Sequence, residues 1–271
     1  MVDRPGPLLI IGGHEDKEGD RVILKEVAKR LDGGRLVIAT VASHEPDGYF
    51  DAYVHAFKAI GVTDLIELYV HERADSGEDD IVGRLDGVAG VFFTGGDQLR
   101  ISSQIGDTAL ERRIMELHRS GALIAGTSAG ASVMSETMLV KGPSGESYRM
   151  GELHMAPGLG LVKDVIIDQH FAERGRYGRL LGAVAHNPRL LGVGIDENTA
   201  LLLEGDQGQV VGAGAIYVVD GQTVSHSNIA EARAEEALSI FDVRMHVLSS
   251  GDSFDFRARR PACGRKKPSD E

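Results

Sequence analysis

Short apolar segments alternate with amphipathic segments through the first half of the chain. The apolar segments are bounded by turn residues, which is typical of buried strands. Strands are predicted at Leu8 to Ile11, Leu36 to Val41, Leu65 to Val70, Val88 to Phe93 and Ala122 to Ala125. Between them, apolar residues recur three or four positions apart, which predicts helices with one stripe facing the core. The first two stripes are Ile23, Val27 and Leu31, then Phe50, Val54, Phe57 and Ile60.

The second half of the chain predicts further strands with shorter connections. They are Val165 to Ile167, Leu190 to Ile195, Thr199 to Leu203 and Ala215 to Val219. Asp220-Gly221 is a hairpin signal, because this dipeptide adopts the positive φ angles of tight turns. We therefore expect Ile216 to Val219 to pair with Thr223-Val224, so that the sheet ends antiparallel.

The order of these elements predicts an α/β fold with three layers. A mostly parallel central sheet carries helices on both faces, with an antiparallel extension near the C-terminus. No repeat and no second core is visible, so residues 1–256 are predicted to form a single domain. Residues 257–271 hold six basic and two acidic side chains and almost no apolar ones, and are predicted to be a mobile basic tail.

Charge and cysteine content narrow the function classes. The 271 residues include 29 basic and 41 acidic ones, for a net charge of −12. This charge argues against nucleic acid or an anionic membrane as a partner, and no segment approaches the roughly 18 apolar residues of a membrane helix. The single cysteine, Cys263, lies in the predicted tail, so a disulfide framework is excluded. We expect a cytoplasmic protein.

The strongest local motif is Gly126-Thr127-Ser128-Ala129-Gly130, a match to G-x-S-x-G between a predicted strand and a predicted helix. A nucleophile on such a sharp turn needs small neighbours, and the helix start offers backbone N–H groups to an oxyanion. The alternative is an unreactive glycine-lined turn. Class I glutamine amidotransferase-like domains share this layout, but they carry a cysteine where this chain has Ser128.

A serine nucleophile needs a base and an orienting acid. His170 and Glu197 each follow a predicted strand, and the carboxyl ends of strands are where α/β sheets collect functional groups. A hydrogen-bonded structural histidine and a surface carboxylate are the alternative interpretations. Glu146 is a second candidate for the acid. The chain order Ser, His, acid differs from that of the α/β-hydrolases.

Two further groups could complete such a site. Gly95-Gly96 ends a predicted strand, so the N–H groups of Gly96 and Ala129 are candidate oxyanion donors. Downstream of His170 lie Arg174, Arg176 and Arg179, whose guanidinium groups suit carboxylates; a solvated helix face is the alternative. No H-E-x-x-H motif is present, and neither a metal nor another cofactor is expected.

Taken together, these motifs resemble the peptidase-E-like serine peptidases, and within them the branch that degrades cyanophycin. The resemblance runs over most of the chain. It rests on 11–17 (IGGHEDK), 93–98 (FTGGDQ), 126–131 (GTSAGA), 168–171 (DQHF) and 194–200 (GIDENTA). His14 departs from the family pattern, in which a small residue is expected, and this leaves the role of the first turn open.

The resemblance implies a serine-type exopeptidase that releases β-aspartyl-arginine from cyanophycin, a poly-aspartate chain with arginine on its side-chain carboxyls. It assigns Ser128 as nucleophile, His170 as base and Glu197 as acid within one catalytic domain. It also implies a homodimer. The implied substrate-binding residues are Asp97, Gln98, Asp168, Gln169, Arg174, Arg176 and Arg179. A related aspartyl dipeptidase and a non-catalytic peptide-binding protein remain as alternatives.

Overall fold

The computed structural model describes residues 5–44 and 48–264. Its helices are α1 (Val22–Leu31), α2 (Tyr49–Lys58), α3 (Asp79–Gly83), α4 (Gln98–Ile105), α5 (Ala109–Arg119), α6 (Ala129–Ser132) and α7 (Tyr177–His186), with a 3₁₀ turn at Arg73–Gly77. Its first strands are β1 (Leu8–Ile11), β2 (Leu36–Ala39), β3 (Leu65–Leu68), β4 (Gly90–Phe93), β5 (Leu123–Thr127), β6 (Thr137–Lys141), β7 (His154–Pro157) and β8 (Val165–Gln169).

The later strands are β9 (Leu191–Ile195), β10 (Thr199–Glu204), β11 (Gln207–Gly212), β12 (Ile216–Asp220), β13 (His226–Ser227), β14 (Ile240–Phe241), β15 (Arg244–Leu248), β16 (Ser253–Asp255) and β17 (Arg260–Ala262). Among the described residues, no helix is both long and apolar enough to cross a membrane.

A nine-stranded sheet forms the centre of the fold, in the order β17-β16-β11-β10-β1-β5-β4-β2-β3. The strands from β1 to β3 in this order run parallel, and those from β10 to β17 are added antiparallel. This arrangement confirms the predicted fold class. Because β1 lies between parallel β5 and antiparallel β10, the carboxyl ends of β1 and β5 meet the start of β10 at one edge.

Helices cover both faces of this sheet. Side chains of α1 and α2, such as Val27 and Phe57, pack on one face against Leu9 and Phe92. The other face is covered by α4, α5 and α6, and also by a second sheet. The apolar contacts on each side explain why the parallel strands are buried throughout, as their continuous apolar sequences predict.

The second sheet has four strands in the order β15-β12-β9-β8 and was not predicted as a separate sheet. β8 and β9 are parallel, whereas β12 is antiparallel to both β9 and β15. One face packs against the central sheet through residues such as Ile167 and Val193. The other face is covered by α7, whose Leu180 and Val184 contact Ile166. This sheet brings the segment after β8 to the carboxyl end of β1.

The predicted hairpin at Asp220-Gly221 is wrong. Residues 216–220 pair with Arg244–Leu248 and with β9 instead of with Thr223-Val224. The dipeptide does form a turn, closed by the Val224 N–H donating to the Gly221 carbonyl. Asp220 itself is fully buried, so a residue chosen as a turn signal lies in the core, where it pairs with an arginine.

The predicted tail joins the central sheet over part of its length. Arg260–Ala262 forms β17 and pairs with β16, whereas residues 265–271 lie outside the described residues. Arg259 Nη1 donates to Asp220 Oδ1 at 2.6 Å, and the arginine side chain is 16% exposed against 0% for the aspartate. The expected boundary at residue 256 therefore falls before a strand that belongs to the sheet.

We predict that Arg259→Ala lowers the free energy of unfolding by roughly 3 kcal/mol, because it leaves a buried carboxylate without its cation. Arg257→Ala is the matched control, since Arg257 is exposed; a change below about 0.5 kcal/mol is expected for it. Urea unfolding followed by circular dichroism measures both variants. Equal free energies of unfolding for the two variants would show that the Arg259–Asp220 ion pair does not stabilise this segment.

Candidate active site

Three consecutive backbone carbonyls at the end of β1 connect the segments that carry the predicted catalytic residues. The N–H groups of Ser128, His170 and Asn198 donate to the carbonyls of Ile11, Gly12 and Gly13 at 3.0, 2.8 and 2.8 Å, respectively. Asn198 directly follows Glu197. The end of β1 therefore fixes the backbone at or beside each of the three predicted residues, although they are far apart in sequence.

Ser128 lies on a sharp turn between β5 and α6. Its φ of 53° and ψ of −110° are sparsely populated by non-glycine residues. The turn is tight enough to require its flanking glycines: a Cβ on Gly126 would lie 2.4 Å from the Gly130 carbonyl oxygen, and one on Gly130 would lie 2.4 Å from that of Phe93. The sequence therefore forces the Ser128 side chain out of the strand, as a nucleophile elbow requires.

Ser128, His170 and Glu197 form one continuous line of hydrogen bonds. Ser128 Oγ lies 2.9 Å from His170 Nε2, and His170 Nδ1 lies 2.6 Å from Glu197 Oε1. A carboxylate only accepts hydrogen bonds, so Nδ1 of a neutral His170 carries the proton and Nε2 is left to accept from the serine hydroxyl. The other carboxylate oxygen, Oε2, lies 2.8 Å from His14 Nδ1.

Burial and charge set the ionisation of this line. Burial lowers the pKa of His170 from its ordinary 6.5; the hydrogen bond to Glu197 opposes this effect, while the positive charge of Arg174 and the neighbouring His14 add to it. For Glu197, burial opposes ionisation, but the hydrogen bonds from His170 and His14 outweigh it and lower the pKa. A neutral imidazole beside an ionised carboxylate is the state that a general base requires at neutral pH.

Backbone N–H groups suited to an oxyanion lie beside Ser128. A Cβ built on Gly95 would lie 3.5 Å from Ser128 Cβ, so the Gly95-Gly96 segment lies beside Ser128. Within the described residues, the N–H groups of Gly96 and Ala129 make no hydrogen bond. Both predicted donors are therefore free to bind a substrate oxygen.

Four of the predicted substrate-binding residues form a buried cluster with one another. Arg179 Nε donates to Asp168 Oδ2 at 2.6 Å, and its Nη2 donates to Oδ1. Arg176 Nη1 donates to the same Oδ1 at 3.1 Å and to the Gln169 carbonyl at 2.6 Å. All four residues are at least 90% buried. Their charged groups are satisfied mainly within the protein, behind the segment that carries His170.

The other predicted binding residues are more accessible. Arg174 is exposed and lies close enough to His170 and Arg176 to lower the pKa of each. Asp97 is exposed and caps α4 by accepting from the Leu99 N–H at 2.8 Å. Gln98 Nε2 donates to the Leu139 carbonyl at 2.9 Å. Glu146 is exposed, and Glu197 is the carboxylate that the structure places against His170.

Sequence reasoning missed the groups that hold the acid and the loops around it. Glu173 Oε1 accepts from the Glu197 N–H at 3.1 Å. Asp196 is buried and accepts from the Ala172 and Ala215 N–H groups at 2.9 and 3.1 Å. The sequence signal for the residue that contacts His170 is a carboxylate directly after a strand, and both Asp196 and Glu197 fit it. Only the fold shows that Glu197 contacts His170 and that Asp196 holds the neighbouring loops.

One set of side chains within the described residues has the composition of a metal site. Donor atoms of His14, His170 and Glu197 lie within 4.8 Å of one another. These atoms are engaged in the two hydrogen bonds to Glu197 described above, which account for their proximity, so we assign no metal to them.

The chain is similar to known peptidases over most of its length. A family model described as peptidase family S51 matches residues 8–211. A cyanophycinase of Synechococcus elongatus is 39% identical over 94% of this chain and 80% of its own length. One from Geminocystis herdmanii is 38% identical over 95% of this chain and 96% of its own length.

The fold is shared with a peptidase from an acI-B1 actinobacterium, whose crystal structure matches with a TM-score of 0.68. That match covers 94% of this chain and 99% of the other, at 21% identity. On the strength of the family match and of relatives aligned over nearly the whole length, this chain belongs to peptidase family S51.

Proposed function

We propose that this chain is a serine peptidase that degrades cyanophycin to β-aspartyl-arginine dipeptides. The observation that carries the proposal is the hydrogen-bonded line from Ser128 through His170 to Glu197. The substrate is proposed from the cyanophycinases to which the chain is similar over most of its length. An aspartyl dipeptidase with the same catalytic residues is the second candidate, and the activity test below separates the two.

The geometry performs acyl transfer in two halves. His170 Nε2 takes the Ser128 hydroxyl proton as Oγ attacks the scissile carbonyl carbon, and the N–H groups of Gly96 and Ala129 stabilise the oxyanion. The protonated His170 then gives its proton to the leaving amine, and the C–N bond breaks. Water repeats these steps on the ester, which frees Ser128. Glu197 holds the His170 tautomer and stabilises the imidazolium in both halves.

Substrate binding is proposed to divide between exposed and buried residues. Exposed Arg174 suits a substrate carboxylate, and exposed Asp97 suits a guanidinium group. Asp168, Arg176 and Arg179 act differently, since their charges are paired inside the protein. They support the wall of the site together with Gln169, which is buried against Arg176, and the partly exposed Gln98 contributes a polar group at its edge.

Ser128→Ala is predicted to lower the rate of dipeptide release by several orders of magnitude while leaving the fold intact, because the three residues act as a unit. The measurement is mass spectrometry of the products from purified cyanophycin, with wild type and variant side by side. Cleavage of only small aspartyl peptides by wild type would favour the dipeptidase. Undiminished release by the variant would rule out Ser128 as nucleophile.

The pH profile provides a separate test of His170. Because its neutral form is the base and its pKa is lowered, kcat/KM is predicted to fall with decreasing pH around a midpoint below 6.5. Arg174→Ala removes a positive charge that disfavours the imidazolium, so the midpoint should move to higher pH. Arg189→Ala is the control, since Arg189 pairs with Asp164 instead, and it should leave the midpoint in place. An unshifted midpoint in the Arg174 variant would contradict the assignment.

We further propose a homodimer, located in the cytoplasm. Exposed apolar residues on β14 and β15 support the dimer: Phe241 is 56% exposed, Met245 38% and Val247 61%. Val247→Asp should therefore shift the protein from dimer to monomer in sedimentation equilibrium, and a wild-type monomer would disprove the assembly. The single cysteine is compatible with a reducing compartment, which cell fractionation tests.

A further inference from the structure

His14 gives the catalytic carboxylate a second imidazole partner. Its Nδ1 lies 2.8 Å from Glu197 Oε2, while Glu197 Oε1 faces His170. The His14 and His170 rings meet edge to face, with centroids 4.9 Å apart. Glu197 is therefore held between two imidazoles, one buried and one exposed.

The backbone conformation at Gly13 and His14 allows this contact. A Cβ on Gly13 would lie 2.3 Å from the His170 ring, so the chain passes beneath the catalytic base at Gly13 without a side chain. The next residue, His14, has a φ of 48°, a left-handed conformation that is unusual for histidine. The Gly13 carbonyl also accepts the Asn198 N–H at 2.8 Å, which ties this turn to the segment beginning at Glu197.

We propose that His14 is a positioning residue that acts through Glu197 to keep its carboxylate aligned with His170. This inference rests on the proposed serine peptidase function. His14 contributes an N–H hydrogen bond to the carboxylate oxygen that His170 does not use.

The need for a second donor follows from the exposure of the acid. The Glu197 side chain is 26% exposed, and its terminal torsion has only a broad preference. With Oε1 alone engaged, the carboxylate could rotate toward solvent and lose its in-plane bond to His170. A second bond to Oε2 fixes the plane in the ground state and when His170 carries the additional proton. The same partner also accounts in part for the lowered pKa of Glu197.

The first test measures the reactivity of Ser128 with a probe other than cyanophycin. An alkyl fluorophosphonate is attacked at phosphorus by Ser128 Oγ, fluoride leaves, and the hydroxyl proton passes to His170 and then to water. We expect His14→Ala to slow this second-order reaction roughly five- to tenfold, the effect of losing one hydrogen bond of ordinary net strength at a partly exposed carboxylate. On cyanophycin, kcat should fall by a similar factor with KM unchanged. EDTA is present throughout, so that no adventitious metal bridges the imidazoles.

Two substitutions separate the N–H donor from the backbone conformation. Asn and Gly both tolerate a left-handed φ, but only Asn keeps an N–H near the position of Nδ1. His14→Asn should restore the rate to within about twofold of wild type, whereas His14→Gly should remain as slow as His14→Ala. His55→Ala, which removes an exposed histidine on α2, is the control for histidine loss and should react like wild type.

A double-mutant cycle tests whether His14 acts through Glu197. In a Glu197→Ala background, the further change His14→Ala should alter the fluorophosphonate rate by less than about twofold. A full five- to tenfold loss in that background would overturn the inference, as would equal rates for wild type and His14→Ala. If wild type reacts with neither fluorophosphonate nor cyanophycin, the serine peptidase function fails and His14 loses its role with it. Reaction with fluorophosphonate but not cyanophycin refutes only the substrate.

Discussion

The end of β1 is the constraint on which the rest of the site depends. A strand that has passed the edge of its sheet still carries carbonyl groups that need donors, and at residues 11–13 those donors come from three different segments. Each bond is an ordinary backbone hydrogen bond, but together they place Ser128, His170 and the segment beginning at Glu197 relative to one short strand. The backbone bonds alone therefore bring the loops after β5, β8 and β9 to a common position.

The buried cluster around Asp168 completes this constraint from behind. Two arginines converge on one fully buried carboxylate, a costly arrangement unless each charge is compensated. Arg176 also binds the carbonyl of Gln169, the residue before His170. The cluster therefore fixes the backbone next to His170. Asp168, Arg176 and Arg179, which the sequence suggested as substrate-binding residues, stabilise the fold. Arg176 and Arg179 pair with Asp168, whereas Arg174 is exposed. The three arginines therefore differ in position and not in residue type.

Local sequence predicted most of the central sheet and the catalytic candidates because both depend on short patterns. Buried strands such as Leu8 to Ile11 are continuous apolar segments, and the Gly126 to Gly130 turn admits few residue types. The four-stranded sheet escaped prediction because the pairing of β12 with β15 joins strands separated by a long connection. The partner of His14 escaped for the same reason, since contact between residues 14 and 197 exists only after β1 and β10 have paired.

His170 and Glu197 differ in how far their side chains are exposed, and this difference affects the pKa of each. Burial lowers the pKa of His170, and the bond from its Nδ1 to Glu197 offsets part of that effect. The Glu197 side chain is partly exposed, and an exposed carboxylate is well solvated but free to rotate. Hydrogen-bond donors on both of its oxygens fix the plane of the carboxylate while leaving it ionised. Burial would otherwise hold such a carboxylate in place. For the partly exposed Glu197, the turn at residues 12–14 does so instead, through the Gly13 carbonyl and the His14 side chain.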